Sequence, residues 1–177
     1  MHHQPVTTQW IDLGNGFGAH LALPPAGHGP GLLLFQEIFG VNAHIRAVAA
    51  QYAMDGFVVL APDVFWRQAP RIELGYVGDE RARGVALAQA LQPAELLADI
   101  GTAVAALRAR PEVGGRKVGT LGYCLGGRLA WLAAASTDVD AAVPFYGGGI
   151  HTMLDRAASV RCPLQFHYAE HDDHIPL

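Results

Sequence analysis

Six short apolar runs punctuate the chain, at 18–23, 31–35, 57–61, 117–121, 141–146 and 164–168, and between them the apolar positions change to helical spacing. A short run that is apolar throughout suits a strand buried on both faces, and such strands separated by amphipathic helices predict a mostly parallel sheet covered on both sides. Between the second and third runs, Ile45, Val48, Ala49 and Tyr52 fall at i, i+3, i+4 and i+7, which predicts a helix burying one stripe. The long connection 63–116 holds two further helical stretches, one over about 79–91 and one opening at Pro93. In the second, Leu96, Leu97, Ile100, Val104 and Leu107 form an apolar face. Pro93 suits a first helical position, where its missing N–H would be unpaired anyway. Gly114-Gly115 then turns the chain into the fourth run, and 125–135 has helical character again.

Pro24-Pro25, Pro62, Pro111 and the glycines at 147–149 mark the ends of these elements, with no repeat, low-complexity segment or linker between them. With 177 residues, 51% of them hydrophobic, the chain is expected to form one domain over 1–177. A formal charge of −4 and no long basic run argue against a nucleic-acid partner. Residues 1–10 are polar and lack an apolar signal core, and the later apolar stretches are interrupted by residues such as Arg128 and Pro144. The expectation is a cytoplasmic protein that does not engage a membrane. Cys124 and Cys162 form neither a disulfide framework nor a zinc spacing, which suits a reducing compartment. Cys162, beside Pro163, is read as a small buried residue.

The candidate chemistry lies at Gly122-Tyr123-Cys124-Leu125-Gly126, between a strand-like and a helix-like stretch. That is the setting of a G-x-nucleophile-x-G elbow, whose sharp turn strains the middle residue and leaves no room for side chains two positions either side. The Leu125 N–H would point at the place where negative charge develops on an attacked carbonyl, and the same helix start favours thiolate over thiol. The competing reading is a buried cysteine in the glycine-rich turn of a nucleotide-binding fold. Residues 122–128 lack P-loop spacing, and Gly14, Gly16 and Gly18 do not lead into a helix.

Two more stretches, "FQEIFGVNAHIR" at 35–46 and "PDVFWRQAP" at 62–70, together with "GYCLGGRLA", resemble the dienelactone hydrolases (carboxymethylenebutenolidases), in order as well as content. The resemblance runs from about Gly31 to the end. It implies an α/β-hydrolase fold, an open and mostly parallel sheet with helices on both faces. It also implies a carboxylic ester hydrolase that opens small unsaturated lactones in the breakdown of aromatic compounds, without a cofactor or metal. Its nucleophile matches Cys124, and the glutamate that contacts the resting thiol matches Glu37. A carboxylate beside a buried thiol should disfavour the thiolate until substrate displaces or neutralises it, protecting the sulfur from oxidation between turnovers. The resemblance also makes the Ile38 N–H a second oxyanion donor beside that of Leu125. Phe39 becomes either a wall of the substrate pocket or ordinary core. Arg83, in Asp79-Glu80-Arg81-Ala82-Arg83, takes the place of an arginine that binds a substrate carboxylate; alone it would read as a solvated charge. Arg128 is read as structural.

"FHYAEHDDHIP" resembles the strand and loop that carry the triad acid, where an Asp precedes an apolar residue and a proline, here Ile175 and Pro176. That selects Asp172, with Asp173 as the adjacent alternative, to orient a histidine. A rival reading is a metal site among His167, His171, Asp172, Asp173 and His174, though a strand running into a loop does not stack His167 and His171 as a helix would. In this fold the histidine follows the acid after one more strand. The sequence ends at Leu177, so the expectation is an α/β-hydrolase sheet lacking its last strand and helix, and an open sheet edge through which the chain could self-associate. None of His151, His171 and His174 sits where the family places its base. Loss of the base should cost on the order of 10²- to 10⁴-fold in rate. Two functions therefore stand side by side: a lactone hydrolase working through Cys124, and an impaired or binding protein that keeps the pocket without the chemistry. A redox role for Cys124 is disfavoured by the lack of a nearby resolving cysteine.

Overall fold

Strand order and handover of faces place every loop of interest at one edge of a single sheet. The structure, a computed structural model, describes residues 5–175. The first four residues of the segment read as lacking a signal core, and the proline after Ile175, lie outside the described residues. In chain order the elements are β1 (Thr7–Asp12), β2 (Gly18–Leu23), β3 (Gly31–Phe35), α1 (Ala43–Met54), β4 (Val58–Pro62), α2 (Gly78–Gln89), α3 (Pro93–Arg108), β5 (Val118–Tyr123), α4 (Leu125–Ser136), β6 (Ala141–Phe145) and a kinked 3-10 segment, Ile150–Ser159.

The sheet runs β1-β2-β4-β3-β5-β6. β3 pairs in parallel with β4 and β5, and β5 with β6, while β1/β2 and β2/β4 are antiparallel. Alternation along the central strands divides the core. Leu33, Phe35, Val58 and Leu60 join the cluster under α3 and α4, whereas Leu32, Leu34, Val59 and Ala61 join the one under α1. Burying each such Leu, Val or Phe contributes about 1.5–3 kcal/mol. The predicted two-faced sheet is thus present: α1 covers one side, α3 and α4 the other.

Connectivity fixes where a ligand can bind. From β3 the chain moves through α1 to β4 on one side, then returns over β3 to β5 on the other, so the order reverses between β3 and β5. The crevice outside the carboxyl ends of strands at such a switch point is the binding place of open α/β sheets. Here those ends are Phe35 and Tyr123, and the residues that follow are 36–38 and Cys124.

Three elements differ from the expectation. β1 was hidden because an edge strand has one partner and its side chains are largely exposed, so TTQWID carries little apolar signal. The sixth run, 164–168, forms no continuous strand and meets β6 only at Ala142↔Leu164 and Phe145↔His167. It therefore lies along the side of β6 away from β5. The 3-10 segment had no periodic signature. Cys162, expected to be buried, is half-buried and packs at the margin of the core.

Candidate active site

Cys124 sits where β5 turns into α4, with φ 56° and ψ −115°, a conformation that a non-glycine residue adopts only under strain. Its N–H donates to the Phe145 carbonyl at 3.1 Å, and its own carbonyl accepts the Arg128 N–H at 3.2 Å, the first hydrogen bond of the helix. The flanking glycines are sterically required. A Cβ on Gly122 would overlap the Gly126 carbonyl oxygen; one on Gly126 would fall 2.6 Å from the Gln36 oxygen and nearer still to that of Phe35.

The carboxyl end of β3 supplies the other side. Gln36 is fully buried; its Oε1 accepts the Val64 N–H at 3.1 Å and its Nε2 donates to the Glu37 carbonyl at 3.1 Å. The exits of β3 and β4 are thereby tied through one side chain. Ile38 is held from the outside by α2, because Gly84 approaches the Ile38 carbonyl so closely that a Cβ there would overlap it. Phe39 is buried and lies 4.4 Å, centroid to centroid, from the Tyr76 ring, and its carbonyl accepts the Leu74 N–H at 3.0 Å. This is a core-like placement at the rim of the site.

The electrostatics link these pieces. Burial pushes the Cys124 thiol up; the Leu125 N–H facing the sulfur and the Arg128 charge pull it down, while the Glu37 and Asp172 charges push it up further. Burial likewise raises the Glu37 carboxyl, against a lowering by His44. Tyr146 is pushed up to about 12, first by burial and then by Glu37 and Cys124, and it holds a positive φ of 37°. Tyr123 is pushed up still further by burial and by its hydrogen bond with Tyr52. Both phenols remain neutral hydrogen-bonding groups at physiological pH.

Cys124, Leu125, Glu37 and Asp172 are therefore brought into one electrostatic neighbourhood, with Ile38 adjoining Glu37. Asp172 is half-buried, and its Oδ1 accepts the N–H groups of His174 (2.8 Å) and Ile175 (3.1 Å). No histidine side chain hydrogen-bonds to it among the described residues. His167 instead stacks on Phe145 at 4.2 Å. Among the described residues no three His, Cys, Asp or Glu side chains converge as a metal-holding group, so the residues weighed as a metal cluster do not gather. Arg83 is exposed on α2, and its charge is not among those that act on Cys124; Arg128 supplies the cation that does. Arg128, which the sequence reads as structural, lies four residues after the cysteine, on the same helical face. Tyr146 and Gly84 lie in no motif, and Gln36 and His44 lie within the stretch 35–46 but have no spacing or pattern of their own that singles them out.

Glu37 offers a test through pH. Its folded-state pKa is raised, so the folded protein disfavours the carboxylate, and the penalty is present above that pKa and vanishes once the group is protonated in both states. Glu37→Gln is expected to unfold at a higher temperature than the parent near pH 8, with the gain disappearing by about pH 4. Removing the charge also lowers the thiol, so alkylation of Cys124 by iodoacetamide at pH 8 should quicken by roughly several-fold. Superimposable rate–pH profiles would contradict the electrostatic link.

A strained residue at a strand-to-helix elbow, at the switch point of a mostly parallel sheet, with the Leu125 N–H facing it and the Glu37 and Asp172 charges acting on it, defines an α/β-hydrolase. Comparison narrows the class. The family model described as "Dienelactone hydrolase family" matches residues 17–177. The carboxymethylenebutenolidase of Pseudomonas sp. (strain P51) is 39% identical over 163 residues, covering 92% of this chain and 68% of the relative. That of Pseudomonas putida is 39% identical over 165 residues, covering 92% and 69%. Among solved structures, a protein of Klebsiella pneumoniae subsp. pneumoniae MGH 78578, provisionally named a dienelactone hydrolase, superimposes with a TM-score of 0.80 at 28% identity, over 97% of this chain and 75% of that one. The chain belongs to the dienelactone hydrolase family and is a hydrolase of that type. Among the described residues no helix is long and apolar enough to cross a membrane.

Proposed function

We propose that the chain opens a small unsaturated lactone of the dienelactone type through Cys124, inside the cytoplasm and without a cofactor. The observation that carries this reading is the strained cysteine, whose sulfur faces the Leu125 N–H and lies within reach of the Glu37 charge. As substrate enters, the thiol proton passes to Glu37, so the pair keeps a single negative charge. The thiolate sulfur then bonds to the lactone carbonyl carbon, and the carbonyl oxygen takes up the charge between the N–H groups of Ile38 and Leu125. Collapse of this intermediate breaks the ring C–O bond, and the departing oxygen recovers the proton from Glu37. Water then adds to the thioester, the C–S bond breaks, and a free carboxylic acid and the Cys124 thiol result. Asp172 is assigned the place of the acid that would orient a histidine in this second half, a partner that no histidine among the described residues supplies. Phe39 with Tyr76 forms the apolar rim.

Acid quenching during turnover of a dienelactone, followed by intact-mass measurement, should show the chain heavier by one lactone, with the mass located on Cys124. An unmodified chain under turning-over conditions would overturn the acyl-enzyme and favour the alternative, a binding protein that retains the pocket alone. Arg83 is proposed to hold a substrate carboxylate. Arg83→Gln should raise KM for a carboxylate-bearing lactone by about tenfold or more, the worth of a charge-assisted hydrogen bond, and leave a neutral ester unaffected.

A further inference from the structure

A cavity of about 440 Å³ lies beside the reaction centre, between α2, the start of α3, α4 and the 3-10 segment. It begins at Ile38 and Arg128 and runs along α4 to Leu132, away from the sulfur; neither Cys124 nor Glu37 lines it. Leu91, Leu96 and Met153 give it an apolar body of a size that takes a small organic molecule.

Two arginines, Arg128 from α4 and Arg156 from the 3-10 segment, line the same space. Both are half-buried, and among the described residues neither makes an ion pair or a side-chain hydrogen bond. The other half-buried arginines behave differently: Arg46 pairs with Glu73, Arg108 with Asp140, and Arg110 with Glu112. Partly desolvated cations without a counter-charge are costly, and two that share one apolar cavity leave a complementary anion as the missing partner. A guanidinium fork matches a carboxylate geometrically, which a third polar group, the Gln89 amide, can supplement.

We propose that this cavity binds a free amphipathic carboxylate, its aryl or alkyl body against Leu91, Leu96 and Met153 and its carboxylate between Arg128 and Arg156. The site is separate from the substrate-carboxylate role given to Arg83, and it does not depend on Cys124 reacting.

Titration calorimetry of the full chain with 4-phenylbutyrate tests this. Saturable binding is expected, weakened by about tenfold or more in the Arg128→Gln/Arg156→Gln double variant. The uncharged 4-phenylbutanamide should bind the parent about tenfold more weakly than the acid. Ala88→Trp, which puts an indole into the cavity from α2, should abolish binding, and Cys124→Ala should keep it within about twofold of the parent. Equal affinity for acid and amide would overturn the proposal, and so would a double variant that binds like the parent. Loss of binding in Cys124→Ala would overturn the claim of a separate site. The acid–amide comparison uses the parent chain alone and so remains decisive if a variant does not fold; retained binding with no acyl adduct on Cys124 would separate failure of the proposed reaction from failure of this site.

Discussion

Cys124→Gly is expected to abolish lactone hydrolysis and to raise the unfolding temperature. The residue is held at φ 56° and ψ −115°, where an L side chain costs of order 1–3 kcal/mol and glycine costs little. Against this, glycine loses about 0.5–1 kcal/mol through its freer unfolded chain. The net gain is about 1 kcal/mol, or roughly 2–4 °C for a domain of this size. Activity should fall by about 10⁴-fold or more, the scale on which removal of a covalent nucleophile is felt. Cys124→Ala separates the two effects: it keeps the strained backbone, so turnover should disappear with no comparable rise in melting temperature. A glycine variant that melts below the alanine variant would show that the conformation stores no strain. Turnover surviving in either would remove Cys124 from the mechanism.

The second large effect is expected at Gly126. Its Cα faces the carbonyls of Phe35 and Gln36 at the exit of β3, and an added methyl has backbone rather than a flexible side chain to displace. Gly126→Ala should cost about 3 kcal/mol, at the upper end of overpacking, and should sever activity from residual fold by moving 37–38 away from the elbow. The control is Gly101→Ala in α3, where nothing lies within 4 Å of the new methyl. That change should stabilise by about 0.5–1 kcal/mol through helix propensity. Chemical denaturation of the two variants reads both signs. A Gly126→Ala protein as stable as the parent would refute the close approach of β3 and α4.

The central sheet was legible because β3 and β4 are buried on both faces, so each is an unbroken apolar run whose period needs no interpretation. β1 and the stretch 164–168 sit at the two sides of the sheet, where exposure replaces the apolar signal with residues that also occur in loops. The elbow could be read from Gly122 and Gly126 because its steric requirement falls on fixed neighbours in sequence. Glu37, Ile38 and Arg83 came from a resemblance; no periodicity singles out a carboxylate after a strand. Arg128 could have been noticed from its spacing to Cys124, but the contribution of Arg156 to the same cavity depends on how the 3-10 segment folds back, which no local pattern records. Gln36 was invisible for a related reason: its partner, Val64, is 28 residues away.

That glutamine has an evolutionary corollary. A single enclosed amide braces the floor beneath the nucleophile against the neighbouring loop, so the floor is poorly placed to flex toward differently shaped substrates. Adaptation to new esters should instead accumulate on the opposite wall, in α2 and around 150–159, where side chains can be exchanged without disturbing the strut. Laboratory selection for altered substrate range is expected to collect its substitutions there and to leave position 36 unchanged.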